Sequence, residues 1–119
     1  MDTAQRNHTQ VSSLDVEGTN VYDRQGNQIG EIDHLMIDKI SGRVTYAILS
    51  FGGFLGIGNN HYPIPWSALS YDVSVDGFRT NVSEAQLKNA PDYDDDSWEN
   101  RDWETRVHTN YDAPPYWSK

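Results

Sequence analysis

The sequence contains no cysteine, and it has no long hydrophobic run. The absence of cysteine excludes disulfide bonds, thiolate catalysis and cysteine-ligated zinc, and it agrees with a reducing compartment. No apolar stretch approaches the roughly 18 residues that cross a bilayer, and no signal-peptide pattern opens the chain. We therefore expect a cytoplasmic location and no membrane insertion.

Basic residues are also scarce, with nine Lys and Arg against 18 Asp and Glu and a formal net charge of −9. Because proteins bind a phosphate backbone through Lys and Arg, this balance argues against a nucleic-acid partner. The charge is uneven along the chain. Residues 91–119 hold eight acidic and three basic residues, which is more than half of the net charge. We therefore treat the end of the chain as a separate unit.

A length of 119 residues predicts one domain with additional sequence at its ends. Residues 1–12 are polar and without periodicity, which predicts a disordered leader. Residues 13–91 form the predicted domain, and residues 92–119 form an irregular, acidic and aromatic tail. Three of the four tryptophans lie in this tail, so we expect some of them to pack on the domain or on a partner. An amphipathic helix over Ser97–Val107 is an alternative for part of it.

Short β-type segments separated by turn signals fill the predicted domain. Their spacing predicts an all-β fold of five or six short strands, either a small closed or partly open barrel or a sandwich, with one short helix. The helix follows Ser83, which forms a capping-box pattern with Gln86. The alternation over Tyr71–Val75 predicts a strand whose apolar residues point inward, followed by a two-residue hairpin turn at Asp76-Gly77.

The third strand, Arg43–Phe51, is apolar on both faces. One face carries Val44, Tyr46 and Ile48, and the other carries Ala47, Leu49 and Phe51. A strand with one solvated face alternates apolar and polar residues, so both faces of this strand need a cover. The second cover is a partner subunit, the tail or another protein.

A glycine-rich loop, residues 52–58, follows this strand and carries three large apolar side chains. Either these side chains fold back over the barrel end, or they contact another molecule. We favour the interface, because leaving them in water would forgo about 1.5–3 kcal/mol per side chain. A self-complementary patch is covered most simply by a homodimer. The predicted interface comprises Leu49, Phe51, Phe54, Leu55, Ile57, Tyr62 and Trp66.

Motifs for catalysis or metal binding are incomplete or missing. Asp92, Asp94 and Asp96 have the spacing that opens a calcium loop, but Ser97 and Trp103 occupy the places of its glycine and glutamate. The four histidines lack zinc-site spacing, and no serine lies in a nucleophile elbow. We therefore predict no enzyme activity, no catalytic residues, no metal and no cofactor.

Four segments in order, residues 26–32, 37–38, 41–58 and 63–69, closely resemble the PRC-barrel family, and the likeness covers residues 13–91. Similar domains form the cytoplasmic part of the photosynthetic reaction-centre H subunit and the C-terminal half of RimM. Stand-alone bacterial members are most similar, including the exit at Asn89-Ala90-Pro91. The resemblance implies a compact six-stranded barrel that often self-associates and serves as an adaptor surface. The tail lies outside the part that the family shares.

The predicted function is therefore protein binding by a homodimer with an unidentified protein partner. Two alternatives stay open. One is a small-molecule or ion site at the barrel end, lined by His61, Tyr62, Trp66 and tail aromatics. The other is an accessory subunit of a larger complex.

Overall fold

The computed structural model describes residues 10–50 and 61–117. Most of the regular structure in these residues is strand, and the helices are short. The strands are β1 (Asn20–Tyr22), β2 (Gln28–Ile37), β3 (Val44–Ser50), β4 (His61–Pro65), β5 (Leu69–Asp72) and β6 (Gly77–Thr80). The helices are α1 (Ser13–Val16), α2 (Glu84–Lys88) and α3 (Arg101–Asn110), with 3₁₀ turns at Trp66–Ala68 and Asp95–Glu99.

The six strands form one sheet in the order β4-β3-β2-β1-β6-β5, which curls into a half barrel. Neighbouring strands are antiparallel except β1 and β6, which run parallel. Within the described residues, the edge strands β4 and β5 are not paired with each other. The partly open form of the prediction is therefore the correct one, and the closed form is wrong.

Two local features let the sheet curve. The pairing of β2 shifts by one residue opposite Val21/Tyr22 and again between Ile32 and His34, and such bulges bend a strand. At Gly77, a Cβ atom would lie 2.7 Å from the backbone oxygen of Asn20. Only glycine therefore allows β6 to approach β1 this closely.

The β5–β6 hairpin differs from the prediction. Strand β5 ends at Asp72, whose carboxylate accepts a hydrogen bond from the backbone N–H of Ser74 at 2.9 Å. Residues 73–76 form a four-residue turn, in which Asp76 has a φ of 51°. Tyr71 and Val73 are exposed rather than buried. Val73 lies in the turn, which begins before the alternation of the sequence ends. The capping box of Ser83 and Gln86 at α2 is confirmed.

The hydrophobic core contains residues from the sheet and from the end of the chain. Val21, Ile32 and Ile64 are fully buried inside the curl of the sheet. Trp103, Val107 and Tyr111 belong to the same buried cluster. The prediction of an irregular tail is therefore wrong for Arg101–Asn110, which is helical, and the chain is not purely β.

None of the helices in the described residues is long and apolar enough to span a membrane.

Candidate functional site

The two faces of β3 are both buried within the single chain. Ala47 and Leu49 lie in the core cluster inside the curl, where Leu49 pairs with Ile32 of β2 and with Tyr62 of β4. Leu49 is 1% exposed. The prediction that Leu49 belongs to an interface therefore needs correction, because its side chain is part of the interior.

The other face of β3 carries Tyr46 and Ile48, and we call it the Tyr46 face. Residues of the tail cover it with aromatic rings. The ring centroids of Trp98, Trp103 and Tyr116 lie 5.7, 6.1 and 6.0 Å from that of Tyr46. These separations are within the range of favourable aromatic pairs. Of the three covers that the sequence left open for β3, the structure shows the tail.

Local sequence signals place α3 against this face. Asn100 is the N-cap, and its side-chain oxygen accepts a hydrogen bond from the backbone N–H of Trp103 at 3.1 Å. Acidic residues in the first turn, Asp102 and Glu104, complement the helix dipole. The spacing of Trp103, Glu104, Val107 and His108 puts these four buried residues on one face of the helix.

A buried carboxylate joins α3 to the sheet. The Tyr46 hydroxyl donates to Glu104 Oε1 at 2.9 Å, and the Tyr116 hydroxyl donates to the same atom at 2.6 Å. Arg101 Nε donates to Glu104 Oε2 at 3.2 Å. Glu104 is only 5% exposed, and these three contacts supply the partners that a buried carboxylate needs.

The same group of residues contains a buried imidazole. His108 Nε2 lies 3.1 Å from the Tyr46 hydroxyl oxygen, and His108 Nδ1 lies 3.3 Å from the backbone oxygen of Ala113. Burial lowers the pKa of His108, against the opposing effect of the carbonyls of Ala113 and Pro114. Burial, followed by the hydrogen bond to Glu104, raises the pKa of Tyr46 and raises that of Tyr116 to about 12. We call Tyr46, Arg101, Glu104, His108 and Tyr116 the tail network.

The chain end closes this arrangement. The Arg101 guanidinium carbon lies 3.9 Å from the centroid of the Trp117 ring, a cation–π contact. Trp117 also packs edge-on against His108, with ring centroids 5.2 Å apart. The last described residue of the chain therefore covers the outer side of the tail network.

Of the remaining residues of the predicted interface, the structure describes Tyr62 and Trp66. Phe51, Phe54, Leu55 and Ile57 fall outside the described residues. Tyr62 and Trp66 are both half-buried and packed against the core. They are four positions apart along the chain, however, which corresponds to about 13 Å of extended backbone. Trp66 directly follows β4 and contacts Phe78, with ring centroids 5.4 Å apart.

Asp33 lies between two imidazoles near the start of β4. Its carboxylate is 2.6 Å from His34 Nδ1 and 3.7 Å from His61 Nε2. The hydrogen bond from His34 is the main cause that lowers the pKa of Asp33. No group of three His, Cys, Asp or Glu in residues 10–50 and 61–117 is placed to hold a metal ion.

Comparison with known proteins identifies the family. The model of the PRC-barrel domain matches residues 8–87. The chain belongs to the PRC-barrel domain family. No curated protein matches the sequence.

Among solved structures, a crystal structure of the 16S ribosomal RNA processing protein RimM from Pseudomonas aeruginosa is similar, with 17% sequence identity and a TM-score of 0.46. The similarity covers 63% of this chain and 45% of that chain, so the chain spans less than half the length of that protein. The PRC-barrel match ends at residue 87. Trp98 and the whole of α3, which includes Trp103, come after that residue. The tail that covers the Tyr46 face is therefore an addition to the matched PRC-barrel segment.

Sequence reasoning found the PRC barrel and missed the tail network. Two signals pointed to it: a strand with two apolar faces, and tryptophans concentrated in an otherwise acidic segment. Neither signal identified Glu104 or His108, because both contact Tyr46 across about sixty residues of sequence.

Proposed function

We propose that this PRC-barrel chain is a protein-binding module without catalytic activity, which binds a second copy of itself through the start of β4 and residues 51–60. The observation that carries this proposal is the position of Tyr62. It is half-buried, packs against the core, and is the second residue of an edge strand that directly follows the apolar loop sequence. A half-exposed aromatic anchor beside further apolar side chains is typical of the centre of an interface.

The tail changes which surface this proposal depends on. Because the tail covers the Tyr46 face, the second face of β3 no longer requires a partner. The remaining argument for self-association is Tyr62 at the barrel end together with the apolar residues Phe54, Leu55 and Ile57 in the adjoining sequence. A cytoplasmic location is part of the same proposal, and a cysteine-free sequence is compatible with it.

The edge strand restricts how a partner binds. Pro63 and Pro65 have no backbone N–H, so two of the five residues of β4 cannot donate to an added strand. Pairing of β4 with an edge strand of a second copy is therefore disfavoured. We propose contact through side chains instead, with Tyr62 as the described anchor.

Light scattering after size-exclusion chromatography tests this proposal. We expect the wild type to have twice the 13.6 kDa mass of one chain, and Leu55→Asp to reduce it to that of one folded chain. The matched control is Ile40→Asp, because Ile40 is 90% exposed and lies at the opposite end of β3. Ile40→Asp should leave the mass unchanged. A wild-type mass of one chain at every concentration would contradict self-association.

One observation favours a second candidate, a small-molecule site at the barrel end. The hydroxyl of Tyr111 is buried and has no hydrogen-bond partner among the described residues. Burial raises its pKa first, followed by the proximity of Tyr62. A polar group of a ligand between these tyrosines would satisfy the hydroxyl, since buried polar atoms in proteins are nearly always paired.

Substitution of Tyr111 by phenylalanine distinguishes an unpaired hydroxyl from a paired one. Because the change removes a buried group that lacks a partner, we expect the free energy of unfolding to rise by about 1 kcal/mol. Urea denaturation measures this change. The control is Tyr116→Phe, which removes the donor to Glu104 and should lower stability. A loss of stability in Tyr111→Phe would mean that the hydroxyl already has a partner in the ligand-free protein.

A further inference from the structure

We propose that the aromatic rings packed between the tail and β3 carry an oxidising equivalent, and that Tyr116 is the residue on which it comes to rest. The electron is taken by a one-electron oxidant in solution that attacks indole rings, such as a peroxyl radical. This electron transfer uses the tail and β3, so it does not depend on the proposed self-association.

Five aromatic rings form an unbroken series, which we call the aromatic chain: Tyr93, Trp98, Trp103, Tyr46 and Tyr116. The ring centroid of Trp98 lies 5.7 Å from that of Tyr93 and 5.7 Å from that of Tyr46. The Tyr46 and Tyr116 centroids lie 6.0 Å apart. Trp103 lies beside the series, with its ring centroid 5.2 Å from that of Trp98. Rings at these separations are in contact. Because electron tunnelling weakens steeply with distance, short steps between oxidisable rings provide a route along the chain.

A proton acceptor lies at one end of the aromatic chain. Oxidation of a tyrosine makes its hydroxyl a strong acid, so the radical forms readily only where a base takes the proton. Glu104 Oε1 accepts hydrogen bonds from the Tyr116 hydroxyl at 2.6 Å and from the Tyr46 hydroxyl at 2.9 Å. A base within hydrogen-bond reach of a proton is placed to accept it. Glu104 is therefore the base of this route.

Electrons and protons balance in two steps. The oxidant removes one electron from the half-buried ring of Trp98, which becomes an indole radical cation. An electron then passes from the Tyr116 ring through Tyr46 to this indole, the Tyr116 O–H bond breaks, and the proton goes to Glu104 Oε1. The products are the restored Trp98, a neutral phenoxyl radical at Tyr116, a protonated Glu104 and the oxidant reduced by one electron. Because one carboxylate takes up one proton, the chain holds one oxidising equivalent.

Electrostatics and hydrogen bonding select Tyr116 among the neighbouring rings. Trp117 packs on Tyr116 with ring centroids 4.9 Å apart, but the Arg101 guanidinium carbon lies 3.9 Å from the Trp117 ring centroid. This cation opposes positive charge on an oxidised indole, whereas the Tyr116 radical is neutral once its proton has left. Tyr46 shares the Glu104 oxygen with Tyr116, but its hydrogen bond is longer. The route therefore ends at Tyr116, which is half-buried.

Pulse radiolysis of the full chain with the azide radical, which oxidises indoles in preference to phenols near neutral pH, tests this route. We expect the indole-radical absorbance to decay as the phenoxyl-radical absorbance rises, in a first-order process whose rate is independent of protein concentration. The conversion should be slower in heavy water, because the Tyr116 proton moves with the electron. An indole radical that decays without forming a phenoxyl radical would overturn the proposal. A conversion that speeds up in proportion to protein concentration would also overturn it.

Glu104→Gln tests the proton acceptor, since it keeps the size of the side chain and removes the base. We expect the phenoxyl signal to be lost and the indole radical to persist. The matched control is Tyr71→Phe, because Tyr71 is 51% exposed and its hydroxyl also donates to a carboxylate, that of Asp76. Its ring contacts Phe78, which is not readily oxidised, so Tyr71→Phe should keep the signal. Loss of the signal in Tyr71→Phe and its retention in Glu104→Gln would contradict the route. The wild-type conversion needs no variant, so it decides the question even if Glu104→Gln fails to fold.

Tyr116→Phe tests where the radical rests. Ascorbate added to the solution should reduce the wild-type phenoxyl radical quickly, because Tyr116 is half-buried whereas Tyr46 is 1% exposed. In Tyr116→Phe the tyrosine that still donates to Glu104 is Tyr46, so a phenoxyl radical formed there should react with ascorbate much more slowly. An equal rate of reduction in the two chains would mean that Tyr116 does not hold the radical.

Discussion

Replacement of Trp103 by alanine should lower the free energy of unfolding by about 3–5 kcal/mol, the usual cost of deleting a fully buried tryptophan. The Trp103 side chain is 2% exposed. Its ring lies 5.2 Å from that of Trp98 and 6.1 Å from that of Tyr46, so it links the tail to the sheet. The indole N–H also donates to the backbone oxygen of Asp92. Urea denaturation followed by circular dichroism measures the loss.

The large effect is expected because the tail is part of the core and is not a solvated extension. Arg106→Ala is the matched control in the same helix, since Arg106 is exposed, and it should change stability by less than about 0.5 kcal/mol. Trp103→Phe should have an intermediate effect, because it keeps an aromatic ring and loses the hydrogen bond to Asp92. Equal stability of Trp103→Ala and the wild type would mean that the tail does not stabilise the barrel.

The barrel itself was readable from the sequence, because its signals are local. The capping box at Ser83 acts within a few residues, and the structure shows the helix that it predicts. The hairpin after β5 shows where local reading fails. The Asp72 carboxylate captures the Ser74 backbone N–H and starts the turn early, so the remaining apolar alternation ends in solvent.

The tail network could not be predicted from local sequence patterns, because its contacts join residues that are far apart in the sequence. Tyr46 meets Glu104 and His108 across separations of 58 and 62 residues. In the sequence, Glu104 is one of several charges in an acidic segment. Only the position of α3 shows that its carboxylate lies against the buried Tyr46 hydroxyl. The sequence did establish that the second face of β3 needs a cover, but three covers were compatible with the pattern. The physical choice among them required the geometry of α3.

Leu49→Ala decides between the interior position seen here and the interface position that the sequence suggested. If Leu49 fills the interior between Ile32 and Tyr62, its truncation leaves a cavity, and the free energy of unfolding should fall by about 2–5 kcal/mol. That loss should be the same at every protein concentration, because the cavity lies within one chain. The matched control is Leu14→Ala, whose side chain is 78% exposed and whose truncation should cost less than about 0.5 kcal/mol. A Leu49→Ala chain that keeps its stability but dissociates into single copies would return Leu49 to the interface.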